Sequence, residues 1–249
     1  MSASEQPERP AAQRPATVAR VLRRLFGKHG TVTAVDSIGA QFRLVTVTGP
    51  ELAGVAWSPG QKVQVAMPSS SFAARTYTPI DWDAETGQTR LLGYAHGDGP
   101  GSRWLRDIAL GDECDFFGPS GSLDARRLRG QLAVFGDETS IGLADALARQ
   151  DRRRPVHCYL EVVDLGSAER VIEKLGIENV TFFSKQPGDA HLEGMEAALP
   201  SLNALGSSFV LTGKASTIQR LRRSLKLHAV PTARLATKAY WAPGKTGLD

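Results

Sequence analysis

The chain has 249 residues, 41% of them hydrophobic, which is long enough for two domains with ordinary cores. Its 30 Lys and Arg against 26 Asp and Glu leave a net charge of +4. Residues 1–30 alone carry six basic and two acidic side chains, so the body is formally neutral and reads against a nucleic-acid clamp. No apolar run reaches the roughly 18 residues of a membrane span, and two cysteines are too few for an iron–sulfur cluster.

In chain order, MSASEQPERPAAQRP has no apolar signal core and is too polar to order, which predicts a cytoplasmic protein with a disordered start. ATVARVLRRLFGKHG predicts a short amphipathic helix ending at Gly27 or Gly30. Residues 1–29 are thus read as a basic arm. Six strand-like runs follow, rich in Val and Thr: GTVTAVDSI, QFRLVTVTG, KVQVAM, ARTYTPID, TRLLGYAH and ECDFFGPSG. With one helix inserted before the last, they predict a six-stranded antiparallel barrel over residues 30–125. Cys114 and Cys158 lie far apart in apolar runs, as buried free thiols do.

Two pieces of that first domain carry chemistry. In RTYT, Arg75 and Tyr77 are two apart on a strand and share a face, with Thr76 expected to point into the sheet. A guanidinium, a flat ring and the hydroxyl of Thr78 then lie side by side. In HGDGPGSRWL, Gly97, Gly99 and Gly101 allow close backbone approach, and Ser102 is expected to open a helix whose free amides favour phosphate. Each piece alone equally suits a plain strand or a Gly-Pro turn. Together they suit a flavin dinucleotide, with Arg75 forked onto a pyrophosphate and Tyr77 beside the isoalloxazine.

From about Leu128 the pattern alternates strand and helix: QLAVFG, ETSIGLADALARQ, RPVHCYLEVVD, SAERVIEKLG, NVTFFS, HLEGMEAALP, SSFVLTG, KASTIQRLRRSLKLH and RLATKAYW. This predicts a parallel α/β domain over residues 130–249, with ligands outside the carboxyl ends of the strands. That rule selects GDETS, Lys185 and Lys214. Arg152, Arg153 and Arg154 precede a strand, the wrong end for a cofactor, and are expected to be solvated. FGDETS has one glycine and reads first as a helix start capped by Asp137 or Thr139. KAYW reads equally as a last strand packing Tyr240 and Trp241 inward. The five histidines show no metal-ligand spacing.

The ordered set RTYT, HGDGPGSRWL, GDECDFFGPSG, FGDETS and KAYWAPG, over roughly residues 30–249, resembles the siderophore-interacting protein family of the ferredoxin reductase superfamily. The resemblance implies that Arg75, Tyr77 and Thr78 hold FAD, and that His96, Gly97, Gly99, Pro100, Gly101 and Ser102 cover its diphosphate. It places Gly136, Asp137, Glu138 and Thr139 beside the nicotinamide of NADPH or NADH, and Lys238, Tyr240 and Trp241 over the same opening. Two departures stand out: Ile80 where many members have a second arginine near the flavin, and Lys214 where many have Glu after the glycine, here Gly213.

The implied activity is reduction of a ferric siderophore by NAD(P)H through FAD, with Thr78 and Lys238 nearest to catalytic roles. The alternatives are a flavin reductase or ferredoxin-type electron transferase sharing every flavin residue, and a non-enzymatic siderophore-binding protein. No nucleic acid and no membrane insertion are expected.

Overall fold

The computed structural model describes residues 27–67 and 74–245. Most of the predicted amphipathic helix lies outside these residues, but an end at Gly30 is ruled out, because Lys28, His29 and Gly30 already belong to β1 (Lys28–Ile38).

β1 is followed by β2 (Phe42–Thr48), β3 (Lys62–Ala66), β4 (Ala74–Tyr77), β5 (Pro79–Asp83), β6 (Gln88–Tyr94) and β7 (Glu113–Ser120). They form one sheet in the order β4-β3-β7-β1-β2-β6-β5, every pair antiparallel. The count is seven where six runs were expected, because ARTYTPID is two strands. Pro79 has no amide to donate to a ladder, and the chain leaves one edge of the sheet at Tyr77 and joins the other at Pro79. With only Thr78 between them, the two edges stand within about 7 Å of chain, so the sheet is rolled upon itself. Val32, Val45, Val65, Leu91 and Phe116 fill it, and α1 (Pro100–Asp107) caps it with Trp104 and Leu105.

The second half is a five-stranded parallel sheet: β8 (Leu132–Asp137), β9 (Val156–Val162), β10 (Val180–Ser184), β11 (Ser208–Lys214) and β12 (Leu235–Trp241), in the order β10-β9-β8-β11-β12. Central β8 is buried at every position, as a strand covered on both faces must be. The covering helices are α2 (Ile141–Gln150), α3 (Leu165–Leu175), α4 (Leu192–Ala197), α5 (Leu199–Ala204) and α6 (Ala215–Leu227). α3 shows why the sequence stops and starts where it does. The Asp164 side chain accepts from the Ser167 amide at its start, and Gly176 turns left-handed (φ +69) at its end. The order reverses at β8, which puts a ligand crevice at the carboxyl ends of β8 and β11.

One core runs through both halves. Ile38, Phe42, Leu44 and Ile80 of the first sheet pack in the same cluster as Ile141, Leu143 and Leu147 of α2. Gly142 makes this approach possible, since a Cβ there would stand 2.8 Å from Ile80 Cγ2. Ile80, expected as a missing cation beside the flavin, is 1% exposed and seals this seam instead. Lys174 reaches across to Asp36 at 3.2 Å.

Candidate functional site

Arg75 and Tyr77 lie on the inward face of β4 and Thr76 on the exposed one, the reverse of the expectation for Thr76. On a rolled sheet the interior takes the large side chains, and alternation turns the small one outward. The Tyr77 ring packs against Trp104 of α1, centroids 5.1 Å apart, and its hydroxyl donates to the Gly101 carbonyl at 3.4 Å. Burial pushes the phenol well above its ordinary pKa, so it stays protonated. Arg75 Nη1 donates to its neighbour's carbonyl, Ala74 O, at 2.7 Å, and among the described residues Arg75 holds no carboxylate.

The glycine turn meets this face. A Cβ on Gly101 would lie 3.1 Å from the Tyr77 hydroxyl and 3.4 Å from Arg75 Cγ, so glycine lets α1 start close against this face. α1 begins at Pro100, two residues before the expected start at Ser102. Proline at the first position has no amide to leave unpaired, and the amides of Gly101 and Ser102 are the free ones of the first turn. Ser102 has another duty: its hydroxyl donates to the His96 carbonyl at 2.6 Å and ties the turn shut. Arg106, which no motif singled out, donates to the Gly97 carbonyl at 2.9 Å. A Cβ on Gly97 or Gly99 would meet nothing within 4 Å, leaving their backbone open to a ligand. A guanidinium that holds no carboxylate among the described residues, free first-turn amides and an open glycine backbone make a cradle suited to a dinucleotide pyrophosphate.

Across the cleft stand the carboxyl ends of the parallel strands. Asp137 is fully buried and does what a helix-start residue should: its carboxylate accepts from the Thr139 amide at 2.9 Å within a capping box with Ser140. Its other oxygen accepts from the Trp241 indole at 2.6 Å. Gly213, at φ +94, makes room for it, since a Cβ there would fall 2.6 Å from that carboxylate. Gly136 likewise leaves space for the Ser140 hydroxyl. Glu138, 3% exposed, accepts from the Val163 amide at 2.6 Å and pairs with Lys185 at 2.7 Å. Of Gly136, Asp137, Glu138 and Thr139, only Thr139 keeps partial exposure. Asp137 and Glu138 therefore position the site's other parts.

β12 carries KAYW into this cleft through a bulge. Gly213 pairs with Ala239 and Lys214 with Trp241, so Tyr240 is an extra residue opposite no partner. A bulge lets two successive side chains leave on one side. Burial raises the Tyr240 phenol to about 12, an effect that Thr78 partly offsets. Trp241 lies 5.7 Å from the His96 ring, which stacks on Tyr94 at 5.8 Å, while Lys185 Nζ sits 5.9 Å over the indole. Lys238, two residues beyond Ala236 on the face of the shared core, has no ion-pair partner among the described residues.

Lys214 is not the free cation expected. Its ammonium holds both oxygens of Asp189, at 2.9 and 3.0 Å. The loop bearing Lys185 and Asp189 is anchored by His191, whose Nδ1 accepts the Gln186 amide at 3.1 Å. Its Nε2 then carries the proton and donates to buried Glu161 at 2.7 Å, which also accepts from Thr217 at 2.7 Å.

Residues 69–123 match the family model of the siderophore-interacting FAD-binding domain. The fold is that of SipS, the siderophore-interacting protein from Aeromonas hydrophila (21% identity, 89% of this chain and 93% of that one, TM-score 0.71). It is equally that of a siderophore utilization protein from T. fusca (20%, 90% and 95%, TM-score 0.69) and of the ferredoxin reductase in carbazole 1,9a-dioxygenase (18%, 86% and 69%, TM-score 0.71). No curated protein matches the sequence. The chain thus joins a rolled antiparallel sheet, matched in part by the FAD-binding domain model, to a parallel-sheet domain in a ferredoxin reductase-like fold.

Proposed function

We propose that the protein is a FAD-dependent ferric-siderophore reductase, supplied with electrons by NADPH or NADH and releasing iron in the cytoplasm. The observation that carries this reading is the convergence at the cleft: Trp241, at the end of the parallel sheet, stands 5.7 Å from His96 of the glycine turn, so the dinucleotide-type crevice and the flavin motif share one opening. When bound, FAD would supply the conversion between one hydride, which carries two electrons, and the single electrons that Fe(III) accepts.

The chain's own residues bind, orient and exclude water. Arg75, the open backbone at Gly97 and Gly99 and the free amides of Gly101 and Ser102 hold the pyrophosphate, with His96 and Pro100 shaping the turn. Tyr77 and Thr78 border the flavin ring. Thr139 faces the nucleotide, Gly136 and Gly213 make room behind it for Ser140 and Asp137, and Tyr240 and Trp241 cover the opening. No side chain has to move a proton to iron, so Thr78 and Lys238 act by contact and by field. Anaerobic spectra test the reading: NADPH should bleach the yellow protein, and a ferric siderophore should restore the colour. Recolouring by ferredoxin or free flavin but by no ferric chelate would overturn it.

Lys238→Ala is expected to slow reduction of an anionic ferric chelate while leaving FAD content unchanged. The defect should shrink as salt rises, because attraction at the surface is screened over about 10 Å at 0.1 M. Equal rates for mutant and wild type at low and high salt would reduce KAYW to a packing strand. For nucleotide choice, Lys214→Glu should weaken NADPH more than NADH. Asp189→Asn, which releases Lys214, should favour NADPH; KM ratios that move together in both variants would place Lys214 away from the extra phosphate.

A further inference from the structure

The body of the chain is neutral only as a sum. Residues 31–198 carry 16 Lys and Arg against 23 Asp and Glu, whereas residues 199–248 carry eight against none. Three of those eight are already held: Lys214 by Asp189, Arg220 by Glu196 at 2.7 Å, and Arg234 by the Ser207 carbonyl at 2.9 Å. Arg222, Arg223 and Lys226 are exposed and have no ion-pair partner among the described residues. With Gln219 they recur at the three- and four-residue spacing that makes one stripe along α6. The run Arg152–Arg154 is no such stripe, since Arg154 folds inward onto the Gly130 carbonyl, against the expectation of a solvated side chain, with Asp151 beside it.

The stripe lines a groove of about 480 Å³, together with the segment that leads from α6 into β12. Buried Leu225 and half-buried Val230 and Leu235 give the groove an apolar surface, and no Asp or Glu lines it. Arg222 to Lys226 span about 6 Å of helix axis, so the cations are strung along the groove instead of converging on one point. That spacing suits several carboxylates on a chain better than one small anion.

We propose that this groove docks an acidic segment of a partner protein, with one apolar side chain seated on Leu225, Val230 and Leu235 and the flanking carboxylates paired with Arg222, Arg223 and Lys226. Charge complementarity selects the partner: the groove supplies cations without a counter-charge, and guanidinium forks take carboxylates two bonds at a time, as arginine clusters do when they read acidic motifs. Arginine is also weakly hydrated for a cation, which lowers the cost of covering it at an interface. The groove meets β12 at Leu235, six residues or about 20 Å from Trp241 at the cleft. The docked segment therefore leaves the flavin and nucleotide sites open.

Fluorescence anisotropy of a labelled pentapeptide, one leucine with two glutamates on each side, tests this on the FAD-loaded protein. Saturable binding is expected that weakens as salt rises and that NADPH does not displace. A peptide with glutamines in place of the glutamates should bind at least about tenfold more weakly, because bonds to charged groups are the strong ones. The variant Arg222→Gln/Arg223→Gln should lose as much while melting with the wild type, since both side chains are exposed. Exchanging the leucine for serine should also cost about tenfold, the worth of one seated apolar side chain. No saturable binding, equal affinity for the glutamine peptide, affinity unchanged in the double variant, or displacement by NADPH would each overturn the proposal. Retention on phosphatidylserine vesicles without peptide binding would overturn it too, by assigning the stripe to a lipid surface.

Discussion

Arg75→Ala is expected to weaken FAD by on the order of 2 kcal/mol or more, while riboflavin binds nearly as well as to the wild type. The difference between the ligands is the pyrophosphate, and Arg75 lies against the start of α1, its Cγ 3.4 Å from where a Cβ on Gly101 would stand. Its guanidinium gives one bond to a backbone carbonyl and holds no acid among the described residues, so no internal ion pair competes with the ligand. The substitution should leave the fold intact, because Arg75 is only half-buried and β4 keeps its ladder to β3. Flavin fluorescence titrations with both ligands and both proteins check it. Equal losses would assign Arg75 to the strand and leave the phosphate to the glycine turn alone.

Gly213→Ala is expected to destabilise the protein by about 3 kcal/mol, a sum of left-handed strain and overpacking. The backbone at φ +94 disfavours any side chain, and the new methyl would collide with the Asp137 carboxylate. Asp137 has nowhere to go: it is fully buried between the Thr139 amide and the Trp241 indole. Gly97→Ala is the control. Its φ of +68 carries a similar backbone cost, but its Cβ would meet nothing within 4 Å, so about 1 kcal/mol is expected. Thermal melts of the two variants should differ clearly, and only Gly213→Ala should perturb Trp241 fluorescence. Matching melts would mean that Asp137 yields without loss.

The parallel half was legible because its signals are local. Strands such as QLAVFG are continuous apolar runs, helices begin at caps such as Asp164, and each expected element appears within a few residues of its place. In the first half the break in ARTYTPID also had a local sign, Pro79, whose missing amide outweighs the unbroken strand-like composition around it. The side on which Thr76 falls had none, since on a short edge strand it depends on how the sheet rolls. The buried carboxylates were the least legible. Asp137 finds Trp241 over 104 positions and Glu138 finds Lys185 over 47, so neither burial nor partner shows in GDETS itself. The bulge at Tyr240 belongs to this group too, because it exists only relative to the register of β11.

The seam between the sheets bears on how such proteins diversify. Reductases built from a flavin half and a nucleotide half invite the idea of interchangeable cassettes, cut in the stretch after Ser120 and rejoined at will. Here the cut would pass through a single packed core. Ile80 belongs to one half and Gly142 to the other, and no side chain larger than hydrogen fits at position 142 while isoleucine stands opposite. A chimera that takes its first half from elsewhere must bring a smaller residue to position 80 or inherit Gly142 with it. The lineage of this chain can therefore change what it binds by altering loops at the cleft more readily than by exchanging halves.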